Sequence, residues 1–171
     1  MRTTVLLLVF VPWLACADDK PAQKPLVALS GAKSGIEAAE VHRILTQREF
    51  ASVWQRHVGA KVEEDEYYNR AGVPEVDFER CMVVGIFQGK GWNSAGVVAV
   101  EILEAADRLT FRFDDRSYQT AGPDGGGERV TAFGIFVVPR STKALVLEED
   151  VQGMIGRPPE WKERKRFDAL R

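Results

Sequence analysis

The chain has 171 residues, which is long enough for one ordinary domain and short for two. Hydrophobic residues make up 45% of the sequence and charged residues 28%, a composition typical of folded globular proteins and not of disordered ones. The formal net charge of -2 creates no global field that would attract nucleic acid or an anionic membrane. We therefore expect one folded domain that does not bind nucleic acid.

An apolar run dominates the N-terminal stretch MRTTVLLLVFVPWLACADD. It follows Arg2, is too short to span a bilayer, and ends at the small residues Ala15 and Ala17, a pattern typical of a secretory signal. We predict a signal peptide over residues 1–17 and a secreted or periplasmic protein.

A second interpretation concerns Cys16, which would be lipidated if the leader were a lipobox. Trp13 and Leu14 fit a lipobox poorly, because an aliphatic residue and a small residue are usual there. In this alternative the chain is a lipid-anchored envelope protein, and only then do we expect contact with a membrane.

The next segment is polar and contains proline, so residues 18–30 are predicted to form a flexible leader. Alternating aliphatic residues in IEAAEVHRILT then indicate a first strand.

A helix is predicted after this strand. Thr46 and Glu49 have capping-box spacing, and Gly59 suits the C-terminal end. One helical face contains Phe50, Val53, Trp54, His57 and Val58.

From residue 81 the pattern is that of strands. CMVVGIFQG is a continuous apolar run of the kind found in central strands, and GVVAVEILEA pairs with RLTFRFDD as a hairpin. ERVTAFGIFVVPR and KALVLEED predict two further strands. The fold class is therefore α+β and mainly β: an antiparallel β-rich sandwich or barrel-like sheet with one N-terminal helix packed on it.

The stretch YQTAGPDGGGERV contains Gly122 and Gly127, which have the spacing of a phosphate-binding loop. Glu128 stands where the phosphate-binding lysine belongs, and Arg129 stands where the hydroxyl residue belongs. The residues after this loop are predicted to form a strand, whereas a phosphate-binding loop is followed by a helix. The segment is therefore interpreted as a glycine-rich connection, and we expect no nucleotide and no cofactor.

Catalytic and metal-binding patterns are weak. Asp114 and Asp115, near Tyr118, could serve as the carboxylates of an extracellular hydrolase acting on a glycan, and this is the alternative function. With Asp124 they lack the alternating spacing of a calcium loop, so no metal site is predicted.

The loop QGKGWNSAGV places Trp92 among glycine, amide and hydroxyl groups. Tryptophan at a loop tip is a favoured anchor for protein partners, whereas the alternative folds Trp92 back over the sheet edge. The predicted partner-binding residues are Trp92, Asn93, Ser94, Asp124, Gly125 and Gly126.

Three segments, SGIEAAEVHRILTQREFASVWQRHVG, PEVDFERCMVVGIFQGKGWNSAGVVAVEI and AFGIFVVPRS, resemble the PrcB-like family of exported bacterial proteins. The resemblance covers roughly residues 30–150 and implies a single PrcB-like β-rich domain over residues 31–171. The chain differs from the family pattern in two places: at the turn from Ser94 to Val97, and at Ala132 and Phe133, where the family tends to have Pro-Tyr.

The family takes its name from a protein that stabilises a secreted protease complex. The resemblance therefore implies a non-catalytic protein-binding or protein-stabilising module of the bacterial envelope, with a secreted protease as the expected kind of partner. It supplies no catalytic residue.

Overall fold

This computed structural model describes residues 21–59, 72–120, 126–154 and 156–171. The predicted signal peptide, the lipidation alternative at Cys16, and the predicted contact residues Asp124 and Gly125 lie outside the described residues.

The described residues form one α-helix and ten β-strands. In chain order these are β1 Val27–Gly31, β2 Glu40–Ile44, α1 Gln47–Val58, β3 Cys81–Phe87, β4 Gly91–Trp92, β5 Ser94–Glu104, β6 Arg108–Ser117, β7 Arg129–Val130, β8 Phe133–Pro139, β9 Ala144–Asp150 and β10 Trp161–Phe167.

Two four-stranded sheets pack face to face. Sheet 1 has the order β1-β8-β3-β2, and sheet 2 has the order β10-β9-β6-β5, while β4 and β7 form a separate two-stranded ladder. The predicted class, mainly β with one helix packed on it, is confirmed. The predicted hairpin is also confirmed, since β5 and β6 pair antiparallel from Ser94↔Ser117 to Glu104↔Leu109.

Alternate residues of each strand point to opposite faces of its sheet, and this periodicity places the main core between the two sheets. The side chains buried there are Met82, Val84, Ile86, Val97, Ile102, Leu109, Phe111, Phe113, Phe136, Val138, Leu145 and Leu147. Strand β3 is also buried on its other face, against α1, which explains its continuous apolar run.

Helix α1 begins as predicted, because the Thr46 hydroxyl accepts a hydrogen bond from the Glu49 backbone N–H at 3.2 Å. The Glu49 carboxylate accepts from the Leu45 N–H, one residue before the cap position of an ideal capping box. The helix ends at Gly59, whose φ is 75°. Phe50 and Val53 on the predicted face are buried in a second core, between α1 and sheet 1.

Residues 27–30 correct the predicted flexible leader, since they belong to β1. The backbone of Gln23 also bridges to Ile102 in β5, so this segment is tied to both sheets. The polar composition around Pro25 hid the short alternating stretch that follows. Side chains of Leu26, Val27 and Leu29 are exposed along this edge.

One strand pair differs from the antiparallel expectation, because β6 and β9 run parallel. Parallel neighbours need a crossover connection, and here the chain between them passes through β8 in sheet 1. The predicted strands on either side of PRSTK therefore lie in different sheets and do not pair.

The basic C-terminal segment forms β10, which pairs antiparallel with β9. Its aromatic residues pack on the body: Trp161 lies beneath the Arg112 guanidinium at 4.8 Å, and Phe167 contacts the main core. Across the described ranges, no helix has the length and apolar character needed to cross a membrane.

Candidate functional site

The short ladder between β4 and β7 carries an exposed aromatic side chain. Trp92 is paired directly with Arg129, so both side chains lie on the same face of the ladder. The Arg129 guanidinium carbon lies 4.2 Å from the centroid of the Trp92 ring, a cation–π distance. Trp92 nevertheless remains 53% exposed. Trp92 is therefore exposed, as a loop-tip anchor would be, but it lies on a short paired strand and not at a loop tip.

Asn93 fixes the backbone immediately after this tryptophan. Its φ of 53° is left-handed, which asparagine tolerates better than most residues. The Asn93 N–H donates to the Glu128 carbonyl at 2.9 Å, and the Glu128 N–H donates to Asn93 Oδ1 at 2.7 Å. The Tyr118 N–H donates to the Asn93 carbonyl at 2.7 Å. One residue thus joins the ends of β4, β6 and β7.

Two further contacts hold the aromatic face in place. The Tyr118 hydroxyl donates to Glu128 Oε2 at 3.0 Å, and this carboxylate raises the pKa of Tyr118. The backbone of Gly127 lies close under the indole, because a Cβ there would be 3.0 Å from Trp92 Cε3. We call the face formed by Trp92, Tyr118, Glu128 and Arg129 the Trp92 surface.

The predicted contact residues divide between this surface and the interior. Trp92 lies on the surface, Asn93 is half-buried beneath it, and Gly126 is exposed beside it with φ of 55°. Ser94 is only 2% exposed, so its predicted contact role is corrected to a structural one.

The buried Ser94 side chain lies at the start of β5, where its hydroxyl makes two hydrogen bonds. It donates to Asp115 Oδ1 and accepts from the Gly96 N–H at 3.1 Å. Gly96 has φ of 118°, and a Cβ there would lie 2.5 Å from the Gly31 nitrogen. This turn, where the chain departs from the PrcB-like pattern, therefore sets the close approach of β5 to β1.

The three residues of the hydrolase alternative have separate partners. Asp115 lies on the inner face of β6 and bonds Ser94, and burial raises the pKa of its carboxyl. Asp114 points to the opposite face, where burial and the charge of Asp150 raise its pKa. Tyr118 bonds Glu128. The strand alternation thus places the two carboxyls on opposite sides of a sheet.

The two histidines also take structural positions. His57 is 8% exposed on α1, its Nδ1 lies 3.0 Å from the Ser34 hydroxyl, and its ring centroid is 4.2 Å from that of Phe133. His42 Nε2 lies 3.3 Å from Glu40 Oε1 in β2. Among the side chains that the structure describes, no group of three or more His, Cys, Asp or Glu is placed to hold a metal.

Sequence reasoning missed Arg129 and Glu128 as members of the surface, since it weighed them only against a phosphate loop. It also assigned Tyr118 to the hydrolase alternative. The available signal was positional: all three residues flank the same glycine-rich connection. No local periodicity could reveal that this connection returns to pair with Trp92.

Comparisons of this chain with family models, with curated proteins and with solved structures gave no match.

Proposed function

We propose that this chain is an exported, non-catalytic module that binds another protein through the Trp92 surface. The observation that carries the proposal is the state of Trp92, which is 53% exposed and yet fixed by its neighbours. Arg129 lies over one part of the ring, the Gly127 backbone lies against another, and Asn93 fixes the adjacent backbone.

A fixed, exposed tryptophan favours binding for an energetic reason. Association costs the entropy of ordering each contact side chain, about 0.5–1.5 kcal/mol for a side chain with many rotamers. Contacts within the protein already restrict the Trp92 ring, so little of that cost remains to be met when a partner binds. Tryptophan, tyrosine and arginine are also the residue types enriched among strong contributors to interfaces, and all three are present here.

The arrangement of the acidic residues supports a binding role over the hydrolase alternative. A pair of catalytic carboxylates must face one substrate, at separations of about 5–10 Å for glycoside hydrolysis. Asp114 and Asp115 project to opposite faces of β6, and Asp115 is engaged by the Ser94 hydroxyl. Their raised pKa values follow from burial, and for Asp114 also from Asp150.

The N-terminal sequence and the family resemblance support the proposed location and partner. The apolar run before Asp18 is typical of a secretory signal, which supports a periplasmic or secreted location. If Cys16 were lipidated, the same surface would act at the envelope. The PrcB-like resemblance makes a secreted protease the first partner to test.

Site-specific crosslinking from the Trp92 surface tests the proposal. A photoreactive phenylalanine analogue at Tyr118, expressed in the native host, should trap a defined protein that mass spectrometry identifies. Binding of that purified protein should then weaken by at least about tenfold in Trp92→Ala, as expected for a central interface tryptophan. Leu26→Ala is the matched control, because Leu26 is also an exposed apolar side chain, at 62%.

The result that would overturn the proposal is equal affinity for wild type and Trp92→Ala, or a loss confined to Leu26→Ala. Failure of the analogue at Tyr118 to trap any protein above the level of the same analogue at Met154, another exposed apolar position, would also contradict it.

A further inference from the structure

A cationic cavity of about 380 Å³ adjoins the Trp92 surface. Its charged lining consists of three cations, Lys33, Lys90 and Arg129, and one carboxylate, Glu37. Arg129 belongs to both the cavity and the Trp92 surface. Positive charge is therefore concentrated at this point of a chain whose formal net charge is -2.

Arg129 supplies the hydrogen-bond donors that could hold a ligand of this cavity in a defined orientation. Its guanidinium carbon lies 4.2 Å from the centroid of the Trp92 ring, and such a cation–π contact uses the charge of the guanidinium and none of its N–H donors. The side chain has neither an ion pair nor a hydrogen bond to any residue that the structure describes. The planar array of donors that matches a carboxylate thus lies beside Trp92 and is not used by any residue that the structure describes.

The two lysine side chains form exposed ion pairs. Lys90 Nζ lies 2.6 Å from Glu37 Oε2, and both side chains are 63% exposed. Lys33 Nζ lies 4.0 Å from Glu128 Oε1, and its side chain is 81% exposed. Exposed pairs of this kind contribute little to stability, so an incoming carboxylate can replace them.

The backbone around the cavity is fixed by hydrogen bonds between distant segments. The Ser34 N–H donates to Thr131 Oγ1 at 2.8 Å, and that hydroxyl donates to the Ser34 carbonyl at 2.7 Å. The Thr131 N–H donates to the Ala32 carbonyl, and the Lys90 N–H donates to the Glu37 carbonyl. The three cations therefore project from segments whose relative positions are set before any ligand arrives.

We propose that this cavity binds a carboxylate side chain of an acidic segment of the partner protein, while Trp92 packs on the residues beside it. The inference rests on the proposed function, since it names the chemistry of the partner at the same surface. Arg129 would form a two-point hydrogen bond to the carboxylate, and Lys33 and Lys90 would neutralise its charge.

Titration of the full mature chain with a hexaglutamate peptide, followed by ¹H–¹⁵N NMR, tests the chemistry directly. Saturable shifts are expected at the amides of Ser34, Lys90, Arg129 and Thr131, with none from the uncharged hexaglutamine peptide. The double variant Lys33→Gln/Lys90→Gln should weaken hexaglutamate binding about tenfold.

The matched control is Arg157→Gln/Lys162→Gln, which removes the same formal charge from exposed positions outside the cavity. It should change the affinity less than about twofold. Arg129→Lys keeps the charge but loses the planar donors, so it should also weaken binding. If both double variants lost the same affinity for hexaglutamate, the peptide would be binding through the overall charge of the protein, and the inference would be overturned.

Inorganic phosphate serves as the competing probe. Tighter binding of phosphate than of hexaglutamate at these amides would overturn the carboxylate assignment, and so would the absence of saturable shifts. The crosslinked partner separates the two proposals: if Trp92→Ala loses the partner while Lys33→Gln/Lys90→Gln retains it fully, the carboxylate inference fails and the proposed function stands. Retention by both variants contradicts both.

Discussion

Arg129 lies directly opposite Trp92 in the β4–β7 ladder, with its guanidinium 4.2 Å from the centre of the indole ring. The pairing joins two segments that are distant in sequence, and the Trp92 side chain remains 53% exposed. An exposed aromatic side chain is thereby in direct contact with a cation, which is the physical basis of both proposals.

Removal of the exposed indole should affect folding little. Trp92→Ala is expected to change the free energy of unfolding by less than about 1 kcal/mol, because surface substitutions away from core features have small effects. Phe111→Ala is the contrasting variant. Phe111 is fully buried between the sheets, and its truncation should cost about 3–5 kcal/mol. Urea denaturation measures both, and a comparable loss in the two variants would show that Trp92 is part of the core.

A methyl group at Gly127 should displace the Trp92 ring. The new Cβ would lie 3.0 Å from Trp92 Cε3, closer than a Cβ normally approaches, and the half-exposed ring has room to be pushed aside. We expect Gly127→Ala to shift the ¹⁹F NMR resonance of fluorotryptophan at position 92, with less than about 1 kcal/mol lost in stability. Gly91→Ala is the control, since beyond its chain neighbours Lys90 and Trp92 no atom of a described residue lies within 4 Å of the Cβ it would gain. An unchanged resonance in Gly127→Ala would mean that the ring does not rest on this glycine.

Asn93 should contribute through both its side chain and its backbone. Asn93→Gly loses the acceptor for the Glu128 N–H but keeps the left-handed φ, so about 1 kcal/mol should be lost. Asn93→Ala loses the same bond and also strains the backbone, so it should cost about 1–2 kcal/mol more than Asn93→Gly. Chemical denaturation of the two variants gives this difference. Equal stabilities would show that the positive φ carries no strain.

Stability should fall as the pH falls below about 6.5, because of His57. Burial lowers the pKa of this imidazole below its usual value of 6.5, and its surroundings are the Ser34 hydroxyl and the rings of Trp54, Phe87 and Phe133. The unfolded chain therefore binds a proton at a pH where the folded chain does not, so protonation favours unfolding.

Urea denaturation between pH 7.5 and pH 5.5 measures this dependence. His57→Gln removes the titrating group and should flatten the profile over this range, although the variant itself is expected to be less stable because the aromatic contacts are lost. A profile with the same slope in His57→Gln would assign the pH dependence to other groups.

Local patterns in the sequence determined the class of the fold. Periodic apolar residues and caps predicted α1, a continuous apolar run predicted the doubly buried β3, and a short turn predicted the β5–β6 hairpin. These signals suffice because helix caps, strand alternation and tight turns depend on residues that are neighbours in the chain.

Only the tertiary structure decided which strands pair and which side chains their pairing brings into contact. Three features join distant segments: the parallel pairing of β6 with β9, the hydrogen bond of buried Ser94 to Asp115, and the cation–π contact of Arg129 with Trp92. A two-residue ladder such as β4–β7 is too short to carry a periodic signal, and its pairing depends on how the two sheets close around the core. The sequence could therefore single out Trp92, but it could not identify the arginine, the tyrosine and the cationic cavity beside it.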